Sequence, residues 1–188
     1  PPIDIPDEPL DLDIPERMGG LPNNTMYFDG GAEAGMKRLR HYFWGTRALS
    51  EYKKTRNGMM GWDYSSKFSP WLAWGCLSAR TVYHAVLDYE DDVESNESTY
   101  WLIFELLWRD FMRFYCAKHG NTVFRLGGPR NVKREWDRDQ KKIEAWRMGR
   151  TGVPWVDASM RELLHTGFMS NRGRQNVASF LVHELKVD

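Results

Sequence analysis

A segment rich in hydroxyl groups lies directly ahead of a predicted helix start. The sequence YSSKFSP contains Ser65, Ser66 and Ser69, and Pro70 is a residue typical of the first helical position. Ser69 is the predicted N-cap of this helix. Hydroxyl donors beside the free backbone N–H groups of a helix N-terminus suit an anion. An ordinary serine-rich loop with one capping residue explains the same pattern, so both interpretations stay open.

A carboxylate and a guanidinium share one face of the longest predicted helix. Glu105, Trp108 and Arg109 are spaced i, i+3 and i+4, which brings the three side chains to the same side. Charged groups on an otherwise apolar helix are costly to bury without partners. Either they pair with each other and with neighbouring helices, or they line a polar pocket.

A third polar group opens the last predicted helix, shortly after the helix-stopping Gly167. It consists of Asn171, Arg172, Arg174 and Gln175. The planar fork of arginine suits phosphate or carboxylate recognition. Taken in isolation, the same group is more typical of a solvated helix start.

Helices must position these residues, because the apolar residues recur at helical spacing and no convincing strand pattern is present. The sequence therefore predicts an all-α fold. The helix through residues 98–120 is apolar on nearly every side and is expected to be central and buried. The first predicted helix begins near Glu33. The others run from Ser69 to Gly75, from a Ser78 cap to about residue 90, from a Ser98 cap to Gly120, from about Lys133 to Met148, from Asp157 to His165, and from Asn171 to Leu185.

Charge and proline content divide the chain into two parts. Residues 1–33 hold eight acidic residues, one basic residue and six prolines, so we expect an extended, solvated linker. Residues 34–188 hold 18 acidic and 25 basic residues, a net charge of +7. This basic body is compatible with a partner that carries phosphate.

Cysteine usage and hydropathy favour an intracellular protein, in the cytoplasm, the nucleus or an organelle. Cys76 and Cys116 lack metal-binding spacing and are expected to be buried, reduced thiols. No apolar run reaches the ~18 residues of a membrane span, and the acidic, proline-rich start does not resemble a signal peptide. The chain begins with Pro-Pro rather than Met, so a targeting sequence is not excluded.

Several long motifs in a fixed order resemble the flavin domain of photolyases and cryptochromes. They are YKKTRN and DYSSKFSPWLAWGCLSARTVYH, then STYWLIFELLWRDFMRFY, and finally EAWRMGRTGVPWVDASMRELLHTGFMSNRGRQNVASFL. YSSKFSPW and SNRGRQNVASFL are most similar to the DASH-type cryptochromes. The resemblance covers residues 30–188. It implies that residues 34–188 are the N-terminal portion of a helical FAD-binding domain, incomplete at its C-terminus, and that residues 1–33 connect it to another domain.

The resemblance implies an FAD site and assigns residues to it. Ser65, Ser66 and Ser69 match positions that bind the FAD pyrophosphate, and the backbone around Lys67 and Phe68 completes that cradle. This match favours the anion interpretation of the serine segment. The remaining matches are Tyr52, an aromatic at the same site, Arg174 beside the flavin ring, and Arg109 in the same pocket.

The resemblance also implies contacts with DNA that carries pyrimidine dimers. Glu105, Trp108 and Asn171 match residues that meet a flipped-out dimer, and Arg172 matches a DNA phosphate contact. Gln175 stands where many double-strand photolyases have methionine, in keeping with the preference of DASH proteins for single-stranded DNA.

Trp136 matches the outermost tryptophan of the electron-transfer chain of the family. A tryptophan half buried in a charged helix for packing is the alternative interpretation.

The implied activity is that of a single-strand-preferring deoxyribodipyrimidine photo-lyase, in which light-driven electron transfer from reduced FAD splits cyclobutane dimers. A pterin-type antenna chromophore would belong to a preceding domain. Because the acid that faces Arg174 and two inner tryptophans have no counterpart up to Asp188, we expect the isolated chain to bind FAD poorly, to repair nothing and to self-associate. Two alternatives remain: a non-repair cryptochrome in light signalling or transcriptional regulation, and a helical module without cofactor.

Overall fold

Residues 28–187 are described by the computed structural model, and they form helices and loops without a β-strand. The predicted all-α fold is confirmed. Most of the predicted linker lies outside the described residues, and its last residues, 31–33, belong to the first helix.

Eight α-helices follow one another in this part of the chain. Helices α1 and α8 each continue into a π-helical turn, at His41–Gly45 and Phe180–Glu184. Short 3-10 turns precede α2 and follow α5, at Ala48–Glu51 and Gly120–Phe124. The helices are α1 (Gly31–Arg40), α2 (Tyr52–Thr55), α3 (Ser69–Ala73), α4 (Ala79–Asp92), α5 (Glu97–His119), α6 (Gln140–Arg147), α7 (Pro154–Thr166) and α8 (Asn171–Ser179).

Two apolar clusters hold the helices together. The larger one joins α1 to α4 and the first turns of α5, with Phe43, Val86 and Tyr89 fully buried at its centre. Burying a side chain of this size contributes about 1.5–3 kcal/mol. The smaller cluster joins α7 and α8 through Val156, Met160, Met169 and Val177.

A glycine lets α1 approach α3 closely. A Cβ atom on Gly35 would lie 2.9 Å from Leu77 Cγ and 3.1 Å from the ring of Trp71, so the space has no room for a methyl group.

The helix caps confirm one prediction and correct two. Ser78 caps α4, and its Oγ accepts a hydrogen bond from the backbone N–H of Thr81 at 2.9 Å. Ser69 is not an N-cap: the cap position of α3 is Phe68, no side-chain bond is made there, and Ser69 is already helical. Ser98 is not the cap of α5 either, because Asn96 occupies that position and forms a capping box with Thr99.

The prediction that α5 is central and buried is wrong for most of its length. Ser98, Thr99 and Leu102 are buried near its start, where α2 and α4 pack against it. Further along, Leu107, Phe111 and Phe114 are 58%, 54% and 74% exposed. Periodicity reports that a helix face is apolar, but only a packed neighbour removes that face from water.

The predicted charged helix from Lys133 to Met148 is also too long. Residues 132–139 are not helical, and α6 begins only after Asp139, whose Oδ1 accepts the backbone N–H of Lys141 at 2.8 Å. The Asp137 N–H donates to the carbonyl of Lys186 at 2.7 Å, a long-range bond that competes with the helix.

The last two helices differ from prediction at one end each. Helix α8 begins at the predicted Asn171 but ends at Ser179, and the predicted continuation to Leu185 is a π-helical turn that ends at Glu184. Helix α7 begins at Pro154, three residues before the expected Asp157, whose carboxylate accepts the N–H groups of Thr151 and Gly152. The predicted helical stop at Gly167, with φ of 68°, is confirmed.

The two cysteines differ in their exposure to solvent. Cys76 is half-buried and Cys116 is exposed on α5, so the predicted burial is wrong for Cys116; both thiols are free. Among residues 28–187, no helix combines the length and the apolar character that crossing a membrane requires.

Candidate anion-binding cavity

One cavity of about 470 Å³ lies where the serine segment meets α2, α5 and the start of α8. Elements far apart in sequence contribute to its wall, and ten of the fourteen predicted site residues are among its lining. The lining consists of Tyr52, Arg56, Tyr64, Ser65, Ser66, Lys67, Phe68, Ser69, Leu72, Ala73, Leu102, Glu105, Leu106, Arg109, Phe168, Met169, Asn171 and Arg174.

The charges of this wall favour an anion. Three arginines, Arg56, Arg109 and Arg174, and Lys67, whose positive charge is weakened because burial lowers its pKa, face one acidic side chain, Glu105. A concave surface with an excess of one charge raises the local concentration of the opposite charge.

The serine segment offers free donors to the cavity. Ser65 and Ser66 are half-buried and Ser69 is exposed. None of the three hydroxyls bonds to another group of the described chain. Because α3 has only five residues, hydroxyls and side-chain cations supply more of the attraction for an anion than a helix dipole does.

Glu105 forms an ion pair and also lines the cavity. Both interpretations made from the sequence, pairing with a neighbour and lining a polar pocket, therefore apply to it. It accepts a hydrogen bond from Nη1 of Arg56, the residue directly after α2, a partner that the sequence alone did not reveal. Arg109 does not pair with Glu105; its Nη1 lies 3.3 Å from Asp110 Oδ1. The buried Tyr52 lies beside the Arg56–Glu105 pair, and burial together with the Glu105 charge raises its pKa to about 12.

Lys67 has an unusual side-chain environment. Its Nζ has no hydrogen-bond partner among the described residues and lies 3.2 Å from the ring centroid of Tyr64 and 4.7 Å from that of Phe168. Burial, with the nearby Arg38 charge, lowers its pKa to about 7. Its backbone has φ of 60°, in the left-handed region, which bends the chain between Ser66 and Phe68.

The start of α8 brings two of its four predicted residues to the cavity. Asn171 and Arg174 line it, and Arg174 Nε donates to the carbonyl of Met169 at 3.1 Å. Arg172 and Gln175 do not line it. They bond to each other at 3.1 Å, and Arg172 also donates to Asn57 Oδ1 at 2.8 Å on the protein surface.

Trp108 and Trp136 do not line the cavity. Trp108 is 45% exposed on α5, with its ring edge against Phe104 and Phe111. Trp136 is half-buried in the non-helical segment before α6, and its Nε1 is buried without a partner among residues 28–187. The interpretation of Trp136 as a residue of a charged helix is therefore wrong.

Arg38 is the second residue that sequence reasoning missed. It is only 8% exposed and donates four hydrogen bonds to residues 62–66. Its position four residues before the apolar Tyr42 is the one sequence signal that places it on the buried face of α1.

Comparison with known proteins gives consistent matches. Residues 101–188 match the family model described as the FAD binding domain of DNA photolyase. Over 165 residues the chain is 59% identical to the cryptochrome DASH of Synechocystis sp., covering 88% of this chain and 34% of that protein.

Two solved structures extend the comparison to the fold. A crystal structure of a Synechocystis sp. cryptochrome has a TM-score of 0.86 at 59% identity, over 88% of this chain and 34% of the other. An archaeal photolyase from Sulfolobus tokodaii with two FAD molecules has a TM-score of 0.59 at 26% identity, over 84% and 32%. The chain spans about a third of the length of the curated relatives it matches.

Proposed function

The chain belongs to the photolyase and cryptochrome family, and from that premise we propose that it supplies the diphosphate-binding part of an FAD site in a DASH-type flavoprotein. The observation that carries the proposal is the cavity in which three serine hydroxyls, unbonded within residues 28–187, meet four basic side chains. These donors fit a dianionic diphosphate, which needs many hydrogen-bond donors and little negative charge around it.

The proposed roles of the cavity residues follow from their positions. Ser65, Ser66 and Ser69 donate to the diphosphate, together with the backbone at Lys67 and Phe68. Tyr52 is buried beside the cavity and contributes an aromatic wall. Arg109 and Arg174 add positive charge on the side of the cavity formed by α5 and α8.

A full-length protein that contains this chain would act on DNA with pyrimidine dimers in single strands. The chemistry that bound, reduced FAD supplies is light-driven donation of one electron to a cyclobutane dimer. Glu105 and Asn171 lie at the cavity and would orient the damaged bases, while Trp108, Arg172 and Gln175 lie on the surface, where the DNA strand would meet them. Trp136 remains proposed as the outer tryptophan for photoreduction, and a pterin-type antenna as a second chromophore.

Cofactor binding is tested by titrating the 188-residue chain with FAD, ADP and riboflavin. Loss of a hydrogen bond to a charged group costs about 1.5–3 kcal/mol, or roughly tenfold to a hundredfold in affinity. We expect weak, saturable binding of FAD and ADP that falls by this factor in Ser65→Ala and Ser66→Ala. Ser95→Ala is the matched control, because Ser95 is an exposed serine bonded to Glu90. Equal ADP affinity in all four proteins would overturn the diphosphate assignment.

Repair is tested with the full-length protein under blue light, on a single-stranded oligonucleotide that contains one dimer. Flavin absorption near ~370 and ~450 nm would exclude a module without cofactor. Restoration of intact thymines supports the photo-lyase, and Glu105→Gln is expected to slow it. A flavoprotein that binds DNA without repairing it would instead support the non-repair cryptochrome.

A further inference from the structure

Arg38 holds the backbone of the serine segment from the side of α1. Its Nε donates to the carbonyl of Ser66 at 3.0 Å, and its Nη2 donates to the carbonyls of Trp62 and Ser65, each at 3.0 Å. Its Nη1 donates to Asp63 Oδ1 at 2.7 Å. One guanidinium therefore fixes four acceptors within five consecutive residues.

The carbonyl directions determine where the neighbouring N–H groups point. In a planar trans peptide the C=O and the following N–H point in opposite directions. Because the carbonyls of Ser65 and Ser66 are aimed at Arg38, the N–H groups of Ser66 and Lys67 are directed away from it. Neither N–H forms a hydrogen bond within the described chain, and both residues line the cavity.

The charge of Arg38 is largely offset where it lies. Asp63 accepts its hydrogen bond and forms the ion pair, so the net charge of the two groups is zero. The rings of Tyr42 and Trp62, at 5.1 Å and 5.6 Å from Cζ, enclose the guanidinium further. Asp63 therefore offsets part of the Arg38 charge, whose remainder lowers the pKa of Lys67, and the main contribution of Arg38 to anion binding is geometric.

We propose that Arg38 is a positioning residue for the diphosphate site, because it orients the free N–H groups of Ser66 and Lys67 towards the bound anion. This inference rests on the proposed function for its ligand, but the effect of Arg38 on the loop is independent of any ligand. Lysine cannot replace it, since an ammonium group has one donor centre and cannot span four separated acceptors.

The first experiment measures chymotrypsin cleavage of the 188-residue chain without ligand, with the cut sites located by mass spectrometry. We expect Arg38→Lys to speed cleavage within residues 62–68 at least tenfold, because proteases cut loosened loops, while cleavage in the first turns of α5 stays unchanged. Arg40→Lys is the matched control, because Arg40 is exposed in the last turn of the same helix. Unchanged cleavage within residues 62–68 would overturn the inference.

The second experiment compares the affinities for ADP and riboflavin, which differ in the diphosphate. Arg38→Lys keeps the charge, so a selective loss of at least tenfold in ADP affinity, with riboflavin unaffected, supports positioning. Asp63→Asn removes the carboxylate that offsets the Arg38 charge, and it also loosens the loop. If Arg38 acts by positioning the loop, this variant should bind ADP more weakly. Stronger ADP binding would show that Arg38 acts by its charge. A wild-type chain without ADP binding would overturn the proposed function, while the cleavage result would still decide the role of Arg38 in the loop.

Discussion

Replacing Lys67 with methionine should stabilise the protein near neutral pH. It should also abolish the rise of the free energy of unfolding between pH 7.5 and pH 9.5. The lysine is 5% exposed, and its ammonium lies against the rings of Tyr64 and Phe168 without a hydrogen bond from the described residues. Burial lowers its pKa from 10.5 to about 7, Arg38 lowers it further, and the charges of Glu162 and Asp63 act in the opposite direction. Methionine has a similar length and packs well against aromatic rings.

The sign and size of the effect follow from proton binding. Between about pH 7 and pH 10.5 the unfolded chain holds a proton on Lys67 that the folded chain has released, so the free energy of unfolding rises with pH in this window. From pH 7.5 to 9.5 the rise works out at roughly 2 kcal/mol, reduced to the extent that the cation–π contact with Tyr64 stabilises the charged form. Higher pH must be avoided, because Tyr52 and Tyr64 have pKa values raised to about 12 and lose their stabilising contribution above pH 10.

The assay is urea unfolding followed by tryptophan fluorescence at pH 7.5 and pH 9.5. The wild-type chain should gain roughly 2 kcal/mol between the two, Lys67→Met should gain nothing, and the variant should be the more stable protein at pH 7.5. Lys37→Met is the control, because Lys37 is exposed on α1 and should leave the slope intact. A variant that keeps the wild-type slope would refute the buried-ammonium argument.

Three further predictions concern packing and assembly. Asn96→Ala should destabilise the chain by about 1 kcal/mol through loss of the α5 cap, measured by urea unfolding; no change would contradict the capping box. Gly35→Ala should cost about 1–3 kcal/mol, because its Cβ meets Leu77 and Trp71, and an unchanged midpoint would show that α1 can move away. The chain should self-associate through the exposed apolar face of α5, and Phe111→Ser should reduce this in light scattering; a monomeric wild-type chain would exclude it.

Local signals in the sequence predicted the fold class and several helix ends. Helical spacing of apolar residues, the Ser78 cap and the Gly167 stop each depend on a few neighbouring residues, so they can be read from a short window. The serine segment and the Arg-rich start of α8 were identified in the same way, and ten predicted site residues line one cavity.

The sequence did not decide between alternative local structures that the same residues can form. Asn96 and Ser98 can both cap a helix; Asn96 does so, while Ser98 Oγ accepts the backbone N–H of Lys53 at 3.1 Å from 45 residues away. In the same way, the bond from Asp137 to Lys186 removes residues before α6 from the predicted helix.

The sequence by itself determined that the chain is helical and which segments hold hydroxyl, arginine and carboxylate groups. Only the tertiary structure decided that Arg38 on α1 fixes the serine segment, that Arg56 pairs with Glu105, and that Lys67 is buried between two rings. The physical reason is that hydrogen bonds, ion pairs and desolvation depend on distances between groups from separate elements, and those distances exist only once the helices have packed.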